Sequence, residues 1–310
     1  MSSLQASQLF SVQDRVVVIT GGGSGLGRIM ARALAANGAS KIFVLGRREE
    51  TLHETATQVA DITDIPQIPV ISVICDVTSK ESLDAAYESV AAQTGHVDLL
   101  FANSGIMGPL MRTPPPKPDG SLPSVAEVRD NLYNIPMDEF NKVMEVNVTG
   151  AYYTVLAFLP LLEAANKRRP APQPGVLTPP SAQVVITSSI AGFIRKPPFS
   201  FAYNASKAST THLVKMLSTT LNPYHIRVNG ITPGLYYSDM AGHIFEDRGI
   251  QGSGISEGSF PSDMIPLTRG GGEQDFAGLI VWMASASGGY LNGAIMLTDG
   301  GRVGSVPATY

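Results

Sequence analysis

Short apolar, β-branched runs recur along the chain, and most are separated by longer stretches with helical spacing. Runs that are apolar throughout predict strands buried on both faces, and the intervening stretches predict helices that cover them. The predicted strands are 15–20, 41–46, 69–77, 97–103, 182–189, 226–234 and 293–301. The predicted helices are 26–37, 49–60, 80–93, 138–165, 203–221 and 273–285. This alternation predicts an α/β fold: one domain over residues 1–310, with a doubly wound seven-stranded parallel sheet flanked by helices on both faces.

Three segments interrupt the alternation. Segments 107–136 and 166–183 are rich in proline, glycine and polar residues, which predicts long surface loops. The third, 237–266, follows the sixth predicted strand. Loops after the carboxyl ends of strands surround the ligand crevice in an open α/β sheet. We therefore expect 237–266 to be a substrate lid, with glycines that allow it to move.

Composition narrows the possible partners and compartment. Charged residues make up 15% of the 310 residues, the net charge is −4, and the basic run at 167–169 is typical of a solvated loop, so nucleic acid is not expected. The sequence predicts neither a signal peptide nor a membrane span. Cys75, the only cysteine, lies in an apolar run and is expected to be a buried strand residue. A chain that can form no internal disulfide suits the cytoplasm, and no Cys/His cluster has metal-ligand spacing.

A glycine-rich turn, TGGGSGLG at 20–27, follows the first strand and opens a helix. Glycine lets the backbone turn tightly and approach a pyrophosphate, while a helix N-terminus presents free N–H groups to it. A tight strand-to-helix connection is the alternative, but the strand before and the helix after favour nucleotide binding. The residues predicted to contact the cofactor here are Gly21, Ser24, Gly25, Leu26 and Gly27.

The end of the second strand, VLGRREE, bears on the choice of dinucleotide. Gly46 stands where an acidic residue would bind the ribose hydroxyls of NAD. Arg47 and Arg48 follow, and arginine offers a planar, permanently charged fork for a 2′-phosphate. The sequence therefore predicts NADPH. The alternative is that both arginines face solvent and pair with Glu49 and Glu50.

The run YNASK places Tyr203 and Lys207 four residues apart, hence on one face of a helix. The bland interpretation is an ordinary surface pair. The functional one is that the ammonium lowers the pKa of the phenol from its usual value of about 10, which would make it a better proton relay.

Seven motifs in order carry a family resemblance: TGGGSGLG, CDV, FANSG, EVNVTG, ITSSIAG, YNASK and TPGLYYSDM. With them the chain resembles the short-chain dehydrogenase/reductase family from about Arg15 to Gly301. It is most similar to the NADPH-using 3-oxoacyl-carrier-protein reductase branch and its fungal relatives, some of which act on secondary metabolites. The resemblance implies a Rossmann-like fold.

The resemblance also implies a catalytic tetrad of Asn147, Ser189, Tyr203 and Lys207. Tyr203 would deliver a proton to a ketone oxygen, and Ser189 would stabilise the charge that develops there. Lys207 would also bind the nicotinamide ribose, and Asn147 would hold a water that links Lys207 to solvent. Ser189 precedes Tyr203 by fourteen positions where thirteen is usual, and Ser188 is the less favoured serine.

Further cofactor contacts follow from the resemblance, with some departures from the family pattern. Asp76 and Val77 would flank the adenine, and Asn103 and Gly105 would approach the adenosine. The expected nicotinamide contacts, besides Tyr203 and Lys207, are Pro233, Gly234, Tyr236 and Ser238. Ala102 replaces a usual asparagine, Ser238 replaces a usual threonine, and Tyr236 replaces a smaller aliphatic residue and would crowd one wall.

The predicted function is an NADPH-dependent ketoreductase acting on a bulky, mainly apolar small-molecule ketone in a fungal secondary-metabolite pathway. The alternatives are an NAD-dependent alcohol dehydrogenase and an NADPH-binding protein with a sensing or non-redox role. A homo-oligomer, dimer or tetramer, paired through the helices near 138–165 and 203–221 is implied by the resemblance. The side chains expected on the pocket walls are Met107, Leu110, Met111, Phe193, Tyr236, Tyr237, Met240 and Phe245, with His243 in the lid.

Overall fold

The structure is a computed structural model that describes residues 4–62, 69–197, 199–238, 241–246, 249–250 and 253–310. Its strands are β1 Val16–Thr20, β2 Lys41–Gly46, β3 Val70–Ile74, β4 Leu99–Ala102, β5 Gln183–Thr187, β6 Arg227–Pro233 and β7 Ile295–Thr298. Its α-helices are α1 Ala6–Leu9, α2 Gly25–Ala36, α3 Glu49–Ile62, α4 Lys80–Ala91, α5 Val125–Tyr133, α6 Met137–Met144, α7 Ala151–Lys167, α8 Phe201–Thr220, α9 Gly242–Glu246 and α10 Glu273–Ala284.

The seven strands form one parallel sheet in the order β3-β2-β1-β4-β5-β6-β7, which confirms the predicted fold. The strand order reverses beside β1, where Val18 pairs with Phe43 of β2 on one side and Leu100 of β4 on the other. Ligands bind outside the carboxyl ends of the strands at such a reversal. The topology therefore opens a crevice at the glycine-rich turn after β1.

Burial on both faces explains why the strands are apolar throughout. Successive strand residues point to opposite faces, so Val16 and Val18 pack with α4, α7 and α8 while Val17 and Ile19 pack with α2 and α10. All four side chains are buried. Because both faces of β1 are buried, the strand has no exposed positions for the alternating polar residues that a half-exposed strand carries.

The predicted surface loop 107–136 contains a helix that the prediction missed. Helix α5 begins with a capping box: the Ser124 hydroxyl accepts from the Glu127 amide at 3.2 Å, and the Glu127 carboxylate accepts from the Ser124 amide at 2.7 Å. Lys117 pairs with Glu127 at 3.0 Å. The Ser-x-x-Glu signal was present in the sequence, but the prolines on both sides obscured it.

The helix predicted over 138–165 is interrupted rather than regular. A π-helical segment, Glu145–Gly150, joins α6 to α7 and contains Asn147. Such segments are rare and occur frequently at functional sites. By length and composition alone the continuous run Met137–Lys167 could cross a bilayer. Val155, Phe158 and Leu162 are instead fully buried in the core on one face of the sheet. A helix buried in a core needs an apolar composition similar to that of a membrane-spanning helix.

The predicted lid has a small core of its own. Leu235, Ala241, Phe245, Phe260 and Ile265 form a buried cluster in the segment that follows β6. The rings of Phe245 and Phe260 meet edge to face at 5.5 Å. Apolar packing therefore holds the described part of this segment together. Met240 and the side chain of His243 lie outside the described residues.

Candidate active site

A long cleft runs along the carboxyl ends of the central strands and has two connected parts. The parts meet at Gly21, Ser24, Ser104 and Gly105, which line both. One part is lined by residues that include Ser189, Tyr203, Lys207, Pro233, Gly234 and Ser238. The other is lined by Arg47, Arg48, Thr51, Asp76 and Val77 among others. A cleft of this outline, centred on a glycine-rich turn, fits a dinucleotide with its pyrophosphate in the middle.

The glycine turn is built for close backbone approach. Gly21 and Gly25 have φ angles of +65° and +49°, in the left-handed region that favours glycine. A Cβ on Gly27 would lie 2.1 Å from the Gly21 carbonyl oxygen, so any other residue would push α2 away from β1. The predicted contacts Gly21, Ser24, Gly25 and Leu26 line the cleft, whereas Gly27 is not among its lining residues and acts through this packing.

Asn103 ties together the ends of three strands at the floor of the cleft. Its side-chain amide donates to the Thr20 carbonyl oxygen at 3.2 Å, and its amide oxygen accepts from the Thr187 hydroxyl at 3.0 Å. Thr20 ends β1 and Thr187 ends β5, with β4 between them. The residue fixes the strand ends from which the glycine turn and the loop that carries Ser189 depart.

Tyr203 and Lys207 lie in the first turns of α8, and Ser200 caps this helix by accepting from the Tyr203 amide at 3.3 Å. Lys207 is only 3% exposed, and its Nζ donates to the Thr187 carbonyl oxygen at 2.8 Å. The same Nζ lies 5.7 Å from the centroid of the Tyr203 ring. Burial lowers the pKa of Lys207 to about 8. The lysine is therefore charged at neutral pH and close to losing its proton.

Ser189 reaches Tyr203 because the loop after β5 packs closely on α8. The serine begins a 3₁₀ turn, Ile190–Gly192, and its hydroxyl accepts from the Ala191 amide at 3.2 Å. A Cβ on Gly192 would lie 2.8 Å from the Lys207 carbonyl carbon, so glycine permits this approach. The Ser189 side chain lies close enough to the Tyr203 phenol to lower the phenol pKa through a hydrogen bond.

The neighbouring serine has a different environment. Ser188 donates to the Lys207 carbonyl oxygen at 2.8 Å and shares a second hydrogen bond with the Thr211 hydroxyl at 2.8 Å. Ser188 is only 2% exposed. These bonds join the end of β5 to α8, which is a structural role. The geometry therefore supports the choice of Ser189 despite its fourteen-residue separation from Tyr203.

The pKa of Tyr203 shifts in the opposite direction from the one predicted. Burial raises the pKa above the usual value for a phenol, and the hydrogen bond from Ser189 opposes this only in part. The prediction that Lys207 would lower it was wrong because the phenol itself is desolvated, and desolvation disfavours the charged form. A phenol that keeps its proton at neutral pH is suited to proton donation.

Asn147 holds the loop after β4 in place. Its amide oxygen accepts from the Ile106 backbone N–H at 2.8 Å, and its amide nitrogen donates to the Ile106 carbonyl oxygen at 2.9 Å and to the Ser206 hydroxyl at 2.9 Å. Its carbonyl oxygen accepts from the Thr210 hydroxyl at 3.2 Å. The side chain thus positions a loop and α8, and its role as a water holder stays a prediction.

The adenosine part of the cleft presents exposed cations. Arg47 and Arg48 directly follow β2 and are exposed. Among the described residues neither pairs with Glu49 or Glu50, and Glu49 instead lies 3.5 Å from His53. The alternative in which these arginines are neutralised by their neighbours therefore lacks support in the described part of the chain.

Asp76 and Cys75 complete this end. The Asp76 carboxylate accepts from the Thr78 backbone amide at 3.0 Å and from the Thr78 hydroxyl at 2.8 Å. These bonds, with a smaller effect of Arg47, lower the pKa of Asp76. Cys75 is 2% exposed, which confirms its predicted burial, but it lies just after β3 rather than in the strand. Burial raises its pKa to about 11. The carboxylate is ionised at neutral pH, and the thiol is unsuited to nucleophilic chemistry.

Tyr236 does not crowd the cleft in the way predicted. Its ring packs edge to face on Phe276 at 5.5 Å, and its hydroxyl hydrogen-bonds with the Thr298 hydroxyl at 2.6 Å. These contacts anchor the ring in the core although the residue borders the cleft. The neighbouring Ser238 lines the cleft beside Gly25, as predicted.

The walls on the substrate side are apolar, but several of the predicted side chains do not form them. Met107 lines the cleft, whereas Met111 and Phe245 are buried in separate clusters and Leu110 and Tyr237 are exposed. The apolar residues that line it in their place are Ile190, Ala191, Ile194, Phe199, Leu235 and Ala241. Side-chain direction within these irregular loops decides which residues reach the cleft.

Sequence reasoning also missed the residues that support the site. Thr187 accepts from Lys207, and Ser206 accepts from Asn147. Gly192 lets the loop of residues 189–195, which we call the serine loop, reach α8. Their motifs were recognised, but nothing in a one-dimensional pattern shows which carbonyl faces a lysine. Only Gly192, a glycine in an otherwise apolar turn, carried a signal of close backbone approach.

Comparison with known proteins identifies the class of protein that this fold and site define. The sequence model of the short chain dehydrogenase family matches residues 15–249. The chain belongs to this family.

Individual relatives match over almost the whole chain. A short-chain dehydrogenase/reductase of Byssochlamys spectabilis, VdtF, is 38% identical, with 99% of each chain covered. A rhamnolipids biosynthesis 3-oxoacyl-[acyl-carrier-protein] reductase of Pseudomonas aeruginosa is 28% identical over 94% of this chain and 97% of its own. The structure described as the Pseudomonas aeruginosa RhlG/NADP active-site complex is 26% identical, with a TM-score of 0.74 over 95% of this chain and 98% of that one.

Proposed function

We propose that this protein is an NADPH-dependent ketoreductase that reduces a mainly apolar ketone to a secondary alcohol. The observation that carries the proposal is the convergence of Ser189, Tyr203 and Lys207 at one end of a cleft whose other end presents Arg47 and Arg48. Neither end alone would define a reductase. Together they provide a site for proton delivery and a site for an anionic cofactor in the same cleft.

Tyr203 is the proton donor in this proposal. Bound NADPH supplies a hydride to the carbonyl carbon. The Tyr203 hydroxyl gives its proton to the carbonyl oxygen, so that the product is a neutral alcohol. The Ser189 hydroxyl donates a hydrogen bond to the same oxygen and stabilises the negative charge that develops on it. The raised pKa of Tyr203 favours this direction because the phenol is protonated when the reaction begins.

Lys207 restores the proton in this proposal. Its Nζ lies 5.7 Å from the centroid of the phenol ring, so a positive charge stands near the phenolate that proton donation leaves. With a pKa lowered to about 8, the ammonium can return a proton and be recharged from solvent at modest cost. Asn147 would hold the water that makes this connection, through the carbonyl oxygen that Thr210 also contacts.

NADPH fits the cofactor part of the cleft better than NADH. Gly46 offers no carboxylate to the ribose hydroxyls at the end of β2, and two exposed guanidinium groups follow it. A 2′-phosphate would gain charge-assisted hydrogen bonds there, whereas a hydroxyl would not. The RhlG complex, whose description names NADP, supports the same choice. Asp76 lies beside the arginines and would face the adenine or its ribose.

The substrate proposal rests on the apolar walls and on the relatives. Met107, Ile190, Ile194, Phe199 and Leu235 leave few polar groups to recognise a hydrophilic substrate. The similarity to the rhamnolipids biosynthesis 3-oxoacyl-[acyl-carrier-protein] reductase supports a ketone as the reacting group and a biosynthetic role, which we propose lies in secondary metabolism. A homo-oligomer paired through α6–α7 and α8, and a cytoplasmic location, remain predictions.

The experiment is an NADPH consumption assay over a library of apolar ketones, repeated with NADH. We expect turnover of at least one ketone with a clear preference for NADPH. A preference for NADH would favour the alcohol dehydrogenase alternative. Stoichiometric binding of NADPH with no turnover on any ketone would favour the sensing alternative.

A further inference from the structure

The segment Arg302–Tyr310, which we call the strap, lies directly against the loop that carries Ser189. After β7 the chain makes a 3₁₀ turn, Arg302–Ser305, and then runs antiparallel to the loop Phe193–Arg195. The Arg195 amide donates to the Pro307 carbonyl oxygen at 2.8 Å, and the Thr309 amide donates to the Phe193 carbonyl oxygen at 2.9 Å. Ile194 and Ala308 form the bridge between these two bonds.

Side chains reinforce this backbone pairing. Ile190, Ile194 and Val303 form a buried cluster of their own, separate from the two main cores, with Val306 packed against it. The rings of Phe193 and Tyr310 meet edge to face at 5.0 Å. The strap therefore packs on one side of the serine loop, and α8 packs on the other. On the α8 side, Gly192 permits close approach, and the Asn204 side-chain amide donates to the Ile194 carbonyl oxygen at 3.1 Å.

The loop held in this way is a wall of the substrate cleft. Ser189, Ile190, Ala191 and Ile194 all line the cleft, and Arg302 at the start of the strap lines it as well. Moving this loop outward by a small distance would widen the apolar wall and take the Ser189 hydroxyl away from the ketone oxygen. A displacement of about 1 Å at such a group can cost two orders of magnitude in rate.

The outer part of the strap lies at the surface. Pro307, Thr309 and Tyr310 are exposed, Tyr310 to 68%, so they contribute little to the core. The backbone and aromatic contacts of Pro307, Thr309 and Tyr310 in the described part of the chain are made with Phe193 and Arg195. Losing them should therefore alter the loop more than the overall free energy of unfolding.

We propose that the strap is a positioning element for substrate recognition: it holds the wall formed by residues 189–194 in register with Tyr203. The proposal rests on the proposed ketone reduction. It assigns to the strap an effect on the KM for the ketone and on the placement of Ser189, and no effect on the adenosine and phosphate contacts, which lie at the other end of the cleft.

The test compares three variants with the wild-type protein. Deletion of residues 307–310 removes both backbone bonds, the bridge and the aromatic contact. Thr309→Pro removes one backbone donor, and Thr309→Ala is the matched control because it keeps that donor and loses only a 3.3 Å side-chain bond to the same carbonyl. For each protein we would measure kcat and KM for a ketone, the Kd for NADPH, and hydrogen exchange at the amides of 191–195.

The deletion should lower kcat/KM for the ketone by at least tenfold, through both a higher KM and a lower kcat. It should leave the Kd for NADPH within twofold, and speed exchange at 191–195 but not in the middle of α8. Thr309→Pro should show a smaller change in the same sense, and Thr309→Ala should resemble the wild type. Unchanged kinetics with unchanged exchange would overturn the proposal, as would an equal loss of NADPH binding. If the wild-type protein reduces no ketone, the proposed function fails, and the exchange measurement still decides whether the strap holds the loop.

Discussion

The two ends of the cleft use opposite physical means. At the catalytic end Lys207 is 3% exposed, Tyr203 is half-buried, and each group is held by hydrogen bonds to α8, β5 or the serine loop. At the adenosine end Arg47 and Arg48 are exposed. Burial shifts pKa values and fixes geometry, whereas exposed charges attract a phosphate without being held in one position. In our proposal the first end performs the chemistry and the second end selects the cofactor.

Tyr203→Phe should produce the largest effect because it removes the proton that the ketone oxygen takes up and leaves the shape of the cleft nearly unchanged. We expect kcat to fall by about 10² to 10⁴. The Kd for NADPH, measured by titration, should stay within a few-fold of the wild-type value. Retention of more than a tenth of wild-type kcat would mean that another group donates the proton.

The two adjacent serines offer a matched pair of variants. Ser189→Ala should lower kcat by about 10²-fold, since it removes a donor to the carbonyl oxygen, with little change in NADPH affinity. Ser188→Ala should instead lower the unfolding temperature, because two buried hydrogen bonds are lost, and should affect kcat much less. The reverse pattern would show that Ser188 is the catalytic serine.

Arg47→Asp tests the exposed end of the cleft. One lost charge-assisted contact with a phosphate should cost about 1.5–3 kcal/mol, or roughly ten- to a hundredfold in the KM for NADPH. The KM for NADH should change far less, since that cofactor has no 2′-phosphate. Equal changes for both cofactors would contradict the assignment of this end to the phosphate.

The smallest effect concerns pH. Because burial lowers the pKa of Lys207 to about 8, its ammonium is present below that pH and is lost as the pH rises through it. The rate of ketone reduction at saturating NADPH should therefore be nearly constant between about pH 6 and 7 and should decline above about 8. In Lys207→Arg, whose side chain stays charged, the remaining activity should show no such decline. A wild-type profile that is flat to pH 10 would remove Lys207 from the titration.

The contrast between the two ends also explains what the sequence could predict. The sheet was predictable because its strands are buried on both faces, and the glycine turn because Gly27 leaves no room for a Cβ. The charged end could be located from Gly46, Arg47 and Arg48 alone, because these three consecutive residues carry the signal without any contact to a distant part of the chain.

The catalytic end could be named but not described from the sequence. The raised pKa of Tyr203 depends on burial in three dimensions, and the turn of Tyr236 towards Phe276 depends on packing in the core. The strap lies more than a hundred residues from the loop that it holds, so no local pattern connects Thr309 with Phe193. Helix α5 was the exception, because its capping box was visible in the sequence and the surrounding prolines outweighed it.

The most direct test of the division between the two ends is a double-mutant cycle of Tyr203→Phe and Arg47→Asp, with the NADPH Kd and the single-turnover rate at saturating NADPH measured for all four proteins. The account predicts that Arg47→Asp weakens the Kd for NADPH and leaves the single-turnover rate within about threefold of the wild-type rate. Tyr203→Phe should lower the rate and leave the Kd nearly unchanged. For both quantities, the free-energy change in the double variant should equal the sum of the changes in the two single variants within about 0.5 kcal/mol. A large loss of single-turnover rate in Arg47→Asp, or a coupling well above that limit, would contradict it.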